Sequence, residues 1–151
     1  ENSSRQHVWM AGSAYVAATG GTITTVCTNF KVHTFTGPGT FCVSAAGGPS
    51  GSNTVDYLVL AGGGSGGSRD RAGGGGAGGY RESSGAASGC YTASPLGSSV
   101  SALPVSVQGY PITVGAGASA NPPASRGNQG STSTFSTISS AGGGAGGGDT
   151  P

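Results

Sequence analysis

Short runs of β-branched and aromatic residues alternate along the chain with stretches that carry almost no side chain. The first clear run, Thr22-Ile23-Thr24-Thr25-Val26-Cys27, is dense in β-branched residues and reads as a strand. Thr28-Asn29 reads as a tight turn into Phe30-Lys31-Val32-His33-Thr34-Phe35-Thr36. Gly37-Pro38-Gly39 then turns the chain into Thr40-Phe41-Cys42-Val43-Ser44. The pattern predicts a three-stranded antiparallel meander. Folding about Pro38 sets Phe35 opposite Phe41 and Thr34 opposite Cys42. Folding about 28–29 sets Ile23 opposite Thr34.

A further run, Val55-Asp56-Tyr57-Leu58-Val59-Leu60-Ala61, alternates Val55, Tyr57 and Val59 on one face with Asp56, Leu58 and Leu60 on the other. Both faces are largely apolar, so a strand covered on both sides is expected. It empties into Gly62-Gly63-Gly64-Ser65-Gly66-Gly67, and glycine resumes at 73–79 after Arg69-Asp70-Arg71. Residues 100–107 and 110–114 read as two strands around Gln108-Gly109, with Pro104 and Pro111 marking edges or strand starts. Residues 134–138 read as a last short strand, which runs into glycine at 141–148. Three β runs thus end in similar tracts, at Ala61, at Ala141 and, more faintly, at Val114-Gly115-Ala116-Gly117. No 3.6-residue apolar period appears, so no helix is expected. The fold class expected is all-β: a small antiparallel sandwich or meander with glycine-rich, polyproline-II-like layers and long loops.

Composition sharpens this picture. Glycine supplies 33 of 151 residues, while Leu, Ile, Val and Phe together number only 22. That is too little for a conventional core. The net charge is +1 with 11 charged residues, so the charge half of the disorder signature is missing. Either much of the chain is disordered or the glycine is itself structural. A glycine strand in the polyproline II conformation has three residues per turn and no internal hydrogen bonds. Without Cβ atoms, several such strands can approach and bond one another. Their cooperative bonding must offset the high entropic cost of ordering glycine. Residues 1–19 read as a linker or the end of a preceding domain, and 20–151 as a glycine-rich β domain. The termini read as cuts from a longer polypeptide.

Little catalytic chemistry is on offer. Gly62-x-Gly64-x-x-Gly67 follows an apolar strand as a dinucleotide fingerprint would. That motif needs a helix next, and Ser68-Arg69-Asp70-Arg71-Ala72-Gly73-Gly74 opposes one. His33 reads as a cross-strand or half-buried residue rather than a general base. The five carboxylates form no sequence pair suited to acid–base work. Cofactors are therefore not expected, nor is a metal site. Nucleic-acid binding wants a basic stripe that one lysine and five scattered arginines do not provide. No apolar run approaches the ~20 residues of a membrane helix. Cys27, Cys42 and Cys90 show no metal spacing and read as three small semi-buried residues rather than one disulfide and a spare thiol. The meander sets Cys27 and Cys42 at opposite ends of the sheet. Arg69, Arg71, Tyr80, Arg81 and Tyr91 are the candidates for a contact surface.

Taken together, 20–25, 30–41, 55–64, 76–82, 103–105, 110–115 and 135–138 resemble the glycine-rich domain of tailed-bacteriophage tail fibre proteins of a marine type. The similarity spans roughly 20–148. It implies a non-enzymatic virion protein in or near a tail fibre, assembled in the host cytoplasm and commonly trimeric. Other tail or baseplate proteins and a host surface receptor are the implied partners. Related adhesins carry polyproline II sandwiches, in line with the glycine reading. The alternative expectation is a secreted bacterial glycine-rich adhesin or surface fibre; an enzyme such as a depolymerase ranks third.

Overall fold

A computed structural model of the chain describes residues 14–28, 30–48, 51–68, 71–85 and 100–148. Among them the fold is all-β, with eleven strands and no helix. A five-stranded antiparallel sheet runs in the order β1 (Val16–Thr19), β4 (Gly39–Ala46), β9 (Gly109–Thr113), β10 (Ser133–Phe135), β11 (Ile138–Ser140). Three two-stranded sheets accompany it: β2 (Thr22–Val26) with β3 (Phe30–Thr34), β5 (Thr54–Val55) with β8 (Leu103–Pro104), and β6 (Leu58–Leu60) with β7 (Tyr80–Glu82).

The alternation of β4 positions the core. Phe41 and Val43 point inward while Thr40, Cys42 and Ser44 face out. Around them gather Val59, Val105, Tyr110 and Phe135. His33 meets Phe41 edge-on at 5.0 Å, and Phe41 meets Phe135 edge-on at 5.8 Å, the geometry aromatic quadrupoles favour. His33 is half-buried, and its Nδ1 lies 2.8 Å from the Gly20 carbonyl oxygen.

Several pairings differ from the pattern-based expectation. The turn after β2 has three residues, since Val26 pairs with Phe30. Cys27 and Thr28 both take positive φ, 48° and 67°. Ile23 therefore faces His33 rather than Thr34, a one-residue slip that exchanges every cross-strand partner. β3 does not pair with β4, so Phe35–Phe41 and Thr34–Cys42 are not ladder partners. β4 is taken instead by β1 on one side and β9 on the other. The β2–β3 hairpin consequently stands alone, with Ile23, Val26, Phe30 and Val32 exposed.

Residues 100–107 and 110–114 do not pair with each other. β8 joins β5, and β9 lies inside the five-stranded sheet. Pro111 is tolerated there because β10 reaches β9 only at Ile112 and Thr113. Its missing N–H thus falls where one side has no ladder. The single strand expected at 134–138 is a tight hairpin, β10–β11, turned at Ser136 with φ 55°. The 55–61 run is broken into β5 and β6, and only one of its faces is covered. Val59 is buried, whereas Leu58 and Leu60 are 57 % and 54 % exposed.

The cysteines also correct expectation in part. Cys27 is disulfide-bonded, and Cys42 carries a free, exposed thiol. Cys27 and Cys42 are not bonded to each other, as expected, although the meander that was to separate them does not form, and the reading of three unlinked small residues does not hold. Cys90 lies outside the described residues.

Candidate functional site

Five extended segments continue directly from the strands of the base. The first glycine strand, 61–68, leaves β6; the second, 72–79, returns into β7; the third, 114–121, leaves β9; the fourth, 125–132, returns into β10; the fifth, 141–148, leaves β11. None of their glycines has positive φ. Their hydrogen bonds run between strands with a three-residue period, as polyproline II requires.

That period is explicit in the bonds. Ala61, Gly64 and Gly67 donate N–H bonds to the carbonyls of Gly79, Gly76 and Gly73, each at 2.9 Å. Gly73, Gly76 and Gly79 donate in turn to Gly147, Gly144 and Ala141 at 2.8–2.9 Å. Gly62, Ser65 and Ser68 donate to Ser131, Asn128 and Ser125 at 2.9–3.0 Å. Gly143 and Gly146 donate to Gly62 and Ser65, and Ala118 donates to Gly63. The first strand therefore bonds all four others and is the axis of the lattice. The three runs alike in sequence, at 61, 114 and 141, are its three parallel members.

Each strand places glycine where a side chain cannot go. A Cβ on Gly143 would overlap the Gly76 carbonyl oxygen and lie 2.6 Å from the Gly64 nitrogen. Gly75 faces the Gly64 carbonyl and Gly130 the Gly62 carbonyl in the same way. Positions one step round the turn are open: nothing lies within 4 Å of a Cβ on Gly74, Gly144 or Gly147. The alanines Ala77 and Ala141 fall in these open sets, three residues from Gly74 and Gly144, and are exposed.

Where glycine stops, polar side chains extend the same register. Asn121 Nδ2 donates to the Gly66 carbonyl at 2.8 Å, one period beyond the Ala118–Gly63 bond. Asn128 Nδ2 reaches the Ser119 carbonyl at 3.2 Å, one period beyond Ser131–Ala116. Buried Ser140 donates its hydroxyl to the Val59 carbonyl at 2.9 Å, one period before Gly143–Gly62. Ser133 Oγ accepts the Gly115 N–H at 2.9 Å. Buried Ser83 Oγ accepts the Tyr57 N–H and donates to Asp56 Oδ1 at 2.8 Å.

The far end of the lattice is closed by turns. Ser68 and Ser125 exchange N–H···O bonds of 3.0 and 3.1 Å, and both hydroxyls donate to the Pro122 carbonyl at 2.7 Å. Ala124, at φ 59°, makes the bend. Arg71 and Arg126 are exposed at this end. Of the candidate contact residues, Arg69 and Tyr91 lie outside the described residues. Arg71 and Tyr80 stand at opposite ends of the second strand, ~28 Å apart at ~3.1 Å per residue. Tyr80 faces Leu60 across the β6–β7 ladder and donates its hydroxyl to Glu82. Arg81 faces Val59 on the other side of that sheet. The structure therefore separates these residues into a distal end bearing Arg71 and a basal face bearing Tyr80, Leu58 and Leu60, with Arg81 on neither. Arg126 was missed by sequence reasoning. Its signal was the Gly127-x-x-Gly130 spacing, which sets Gln129 outward and, one three-residue period earlier, Arg126.

The fingerprint glycines Gly62, Gly64 and Gly67 lie along an extended strand rather than at a helix N-terminus. No cluster of three metal-ligating side chains occurs among the described residues.

A β base that hands its strands to a glycine lattice defines a glycine-layer β protein. The chain belongs to the glycine-rich domain family, whose model matches residues 35–151. No curated protein and no solved structure matches it.

Proposed function

We propose that the chain is a non-enzymatic segment of a bacteriophage tail fibre that contributes to host-cell attachment. The carrying observation is the glycine lattice itself: a closely bonded body whose far end presents short turns, with Arg71 and Arg126 exposed. Such a body suits load-bearing and loop presentation. In this reading the protein assembles as a homotrimer in the virion, joined to other tail or baseplate proteins and directed at a host surface receptor. It is assembled in the host cytoplasm.

Immunogold labelling with antibodies to this chain, on virions and on uninfected cells from the same culture, tests the reading. Gold on tail fibres is the expected result. Gold confined to the surface of uninfected cells would replace it with the second reading, a secreted bacterial adhesin or surface fibre. The disulfide at Cys27 favours that second reading, because such bonds persist in oxidising compartments and are rare in the cytosol. Under the first reading the bond closes after release from the host.

A further inference from the structure

The root of the β2–β3 hairpin holds a cleft that the lattice does not use. Gly20 and Gly21, at φ 108° and 64°, carry β1 into β2, and 36–38 carry β3 towards β4. Between these two connections lies an open cleft of about 300 Å³, at the small end of the ~300–1,000 Å³ typical of ligand sites. Phe35 forms one wall. A methyl group on Gly20, Gly21 or Gly39 would sit 3.1–3.3 Å from its ring carbons, so the ring rests against bare backbone and is held there. Pro38 adds a second apolar surface.

The remaining side chains of the cleft are hydroxyls. Thr22 and Thr34 face each other across the hairpin, and Thr36 and Thr40 stand beside them. All four are exposed, and none of their hydroxyls bonds another residue among those described. A threonine hydroxyl both donates and accepts. Every lining residue is uncharged. A charged ligand would give up hydration here without gaining a counter-charge. An aromatic wall beside free hydroxyls, with no charge, matches one ligand chemistry: a ring with an apolar C–H face and a rim of hydroxyls.

We propose that this cleft binds a neutral saccharide unit of a surface glycan. The proposal rests on the attachment reading and names the receptor chemistry. The test is an array of neutral hexose and N-acetylhexosamine glycans beside sialylated and phosphorylated ones, probed with the complete protein and followed by calorimetry on the best neutral sugar. Saturable binding to neutral glycans is expected. A Thr36→Val, Thr40→Val double variant keeps side-chain shape at exposed positions and should melt with the parent. It should bind about tenfold more weakly, through the loss of two neutral hydrogen bonds to the sugar. Phe35→Ala is unsuitable, because Phe35 also packs on the core. Absence of neutral-glycan binding, binding to charged glycans only, or unchanged affinity in the double variant would overturn the proposal. Cell adhesion that survives in the double variant would discard the cleft while leaving attachment standing.

Discussion

At the residue scale, adjacent glycines of one strand do opposite things. Gly143 points between two neighbouring strands, and a Cβ there meets peptide atoms that the lattice itself holds in place. Gly144 points to open space. Gly143→Ala should therefore destabilise by ~1–3 kcal/mol, the cost of overpacking a filled site, and Gly143→Val or Gly75→Val by more. Gly144→Ala should be neutral or stabilise by ~0.4–1 kcal/mol, through the lost freedom of the unfolded chain. Urea unfolding of the variants checks this. If Gly143→Ala and Gly144→Ala unfold at one midpoint, the tracts are linkers. Ser140 is the comparable case among side chains. Ser140→Ala leaves the Val59 carbonyl without its donor in a buried place, which should cost ~1–3 kcal/mol. A Ser140→Thr variant, which keeps a hydroxyl, should recover part of that loss in the same assay.

At the scale of elements, the glycine strands and the β2–β3 hairpin stand at two extremes. The first glycine strand is bonded on four sides. The hairpin is an isolated pair of strands, an arrangement that is marginal in water. Its disulfide-bonded Cys27 lies in the turn, at positive φ. Reduction should therefore loosen the hairpin before the lattice. Hydrogen exchange under reducing conditions should show loss of protection at Thr24 and Val32 while Gly64 and Gly143 stay protected. Equal loss at all four would mean that the two elements unfold as one unit.

At the scale of the whole molecule, two apolar faces are exposed: Val26, Phe30 and Val32 on the hairpin, and Leu58 and Leu60 on β6–β7. Exposed faces of this kind mark contact sites in monomers and burial sites in assemblies. The proposed trimer accounts for them. Light scattering of the complete protein should return three chains, and Leu60→Lys should shift it towards one. A stable monomer of the unaltered protein would count against the trimer. With only 11 charged residues in the chain and no ion pair among the described ones, salt has little to screen. The melting temperature should stay nearly flat from low to high salt.

The sequence by itself determined the class of structure. Glycine runs framed by β-branched runs exclude a helix through propensity, and a scarcity of large apolar side chains demands another source of cohesion. The three like tracts and the half-buried place of His33 were legible for the same local reasons. Pairing was not. Ser136-Thr137 carries no glycine or asparagine to announce the β10–β11 turn, and Asn29 suggested a two-residue turn where Cys27 and Thr28 supply the positive φ. Nothing local says that β4 prefers β1 and β9 to β3, because that choice depends on where distant segments bring their core faces. The contact residues were dispersed for a similar reason. Arg71, Tyr80 and Arg81 lie close in sequence, but an extended strand gains about 3 Å per residue and alternates its faces in the ladder. Only the tertiary structure decides which glycines are indispensable. Each glycine of a run looks the same in sequence, and the neighbouring strands alone determine whether its missing side chain faces a carbonyl or water.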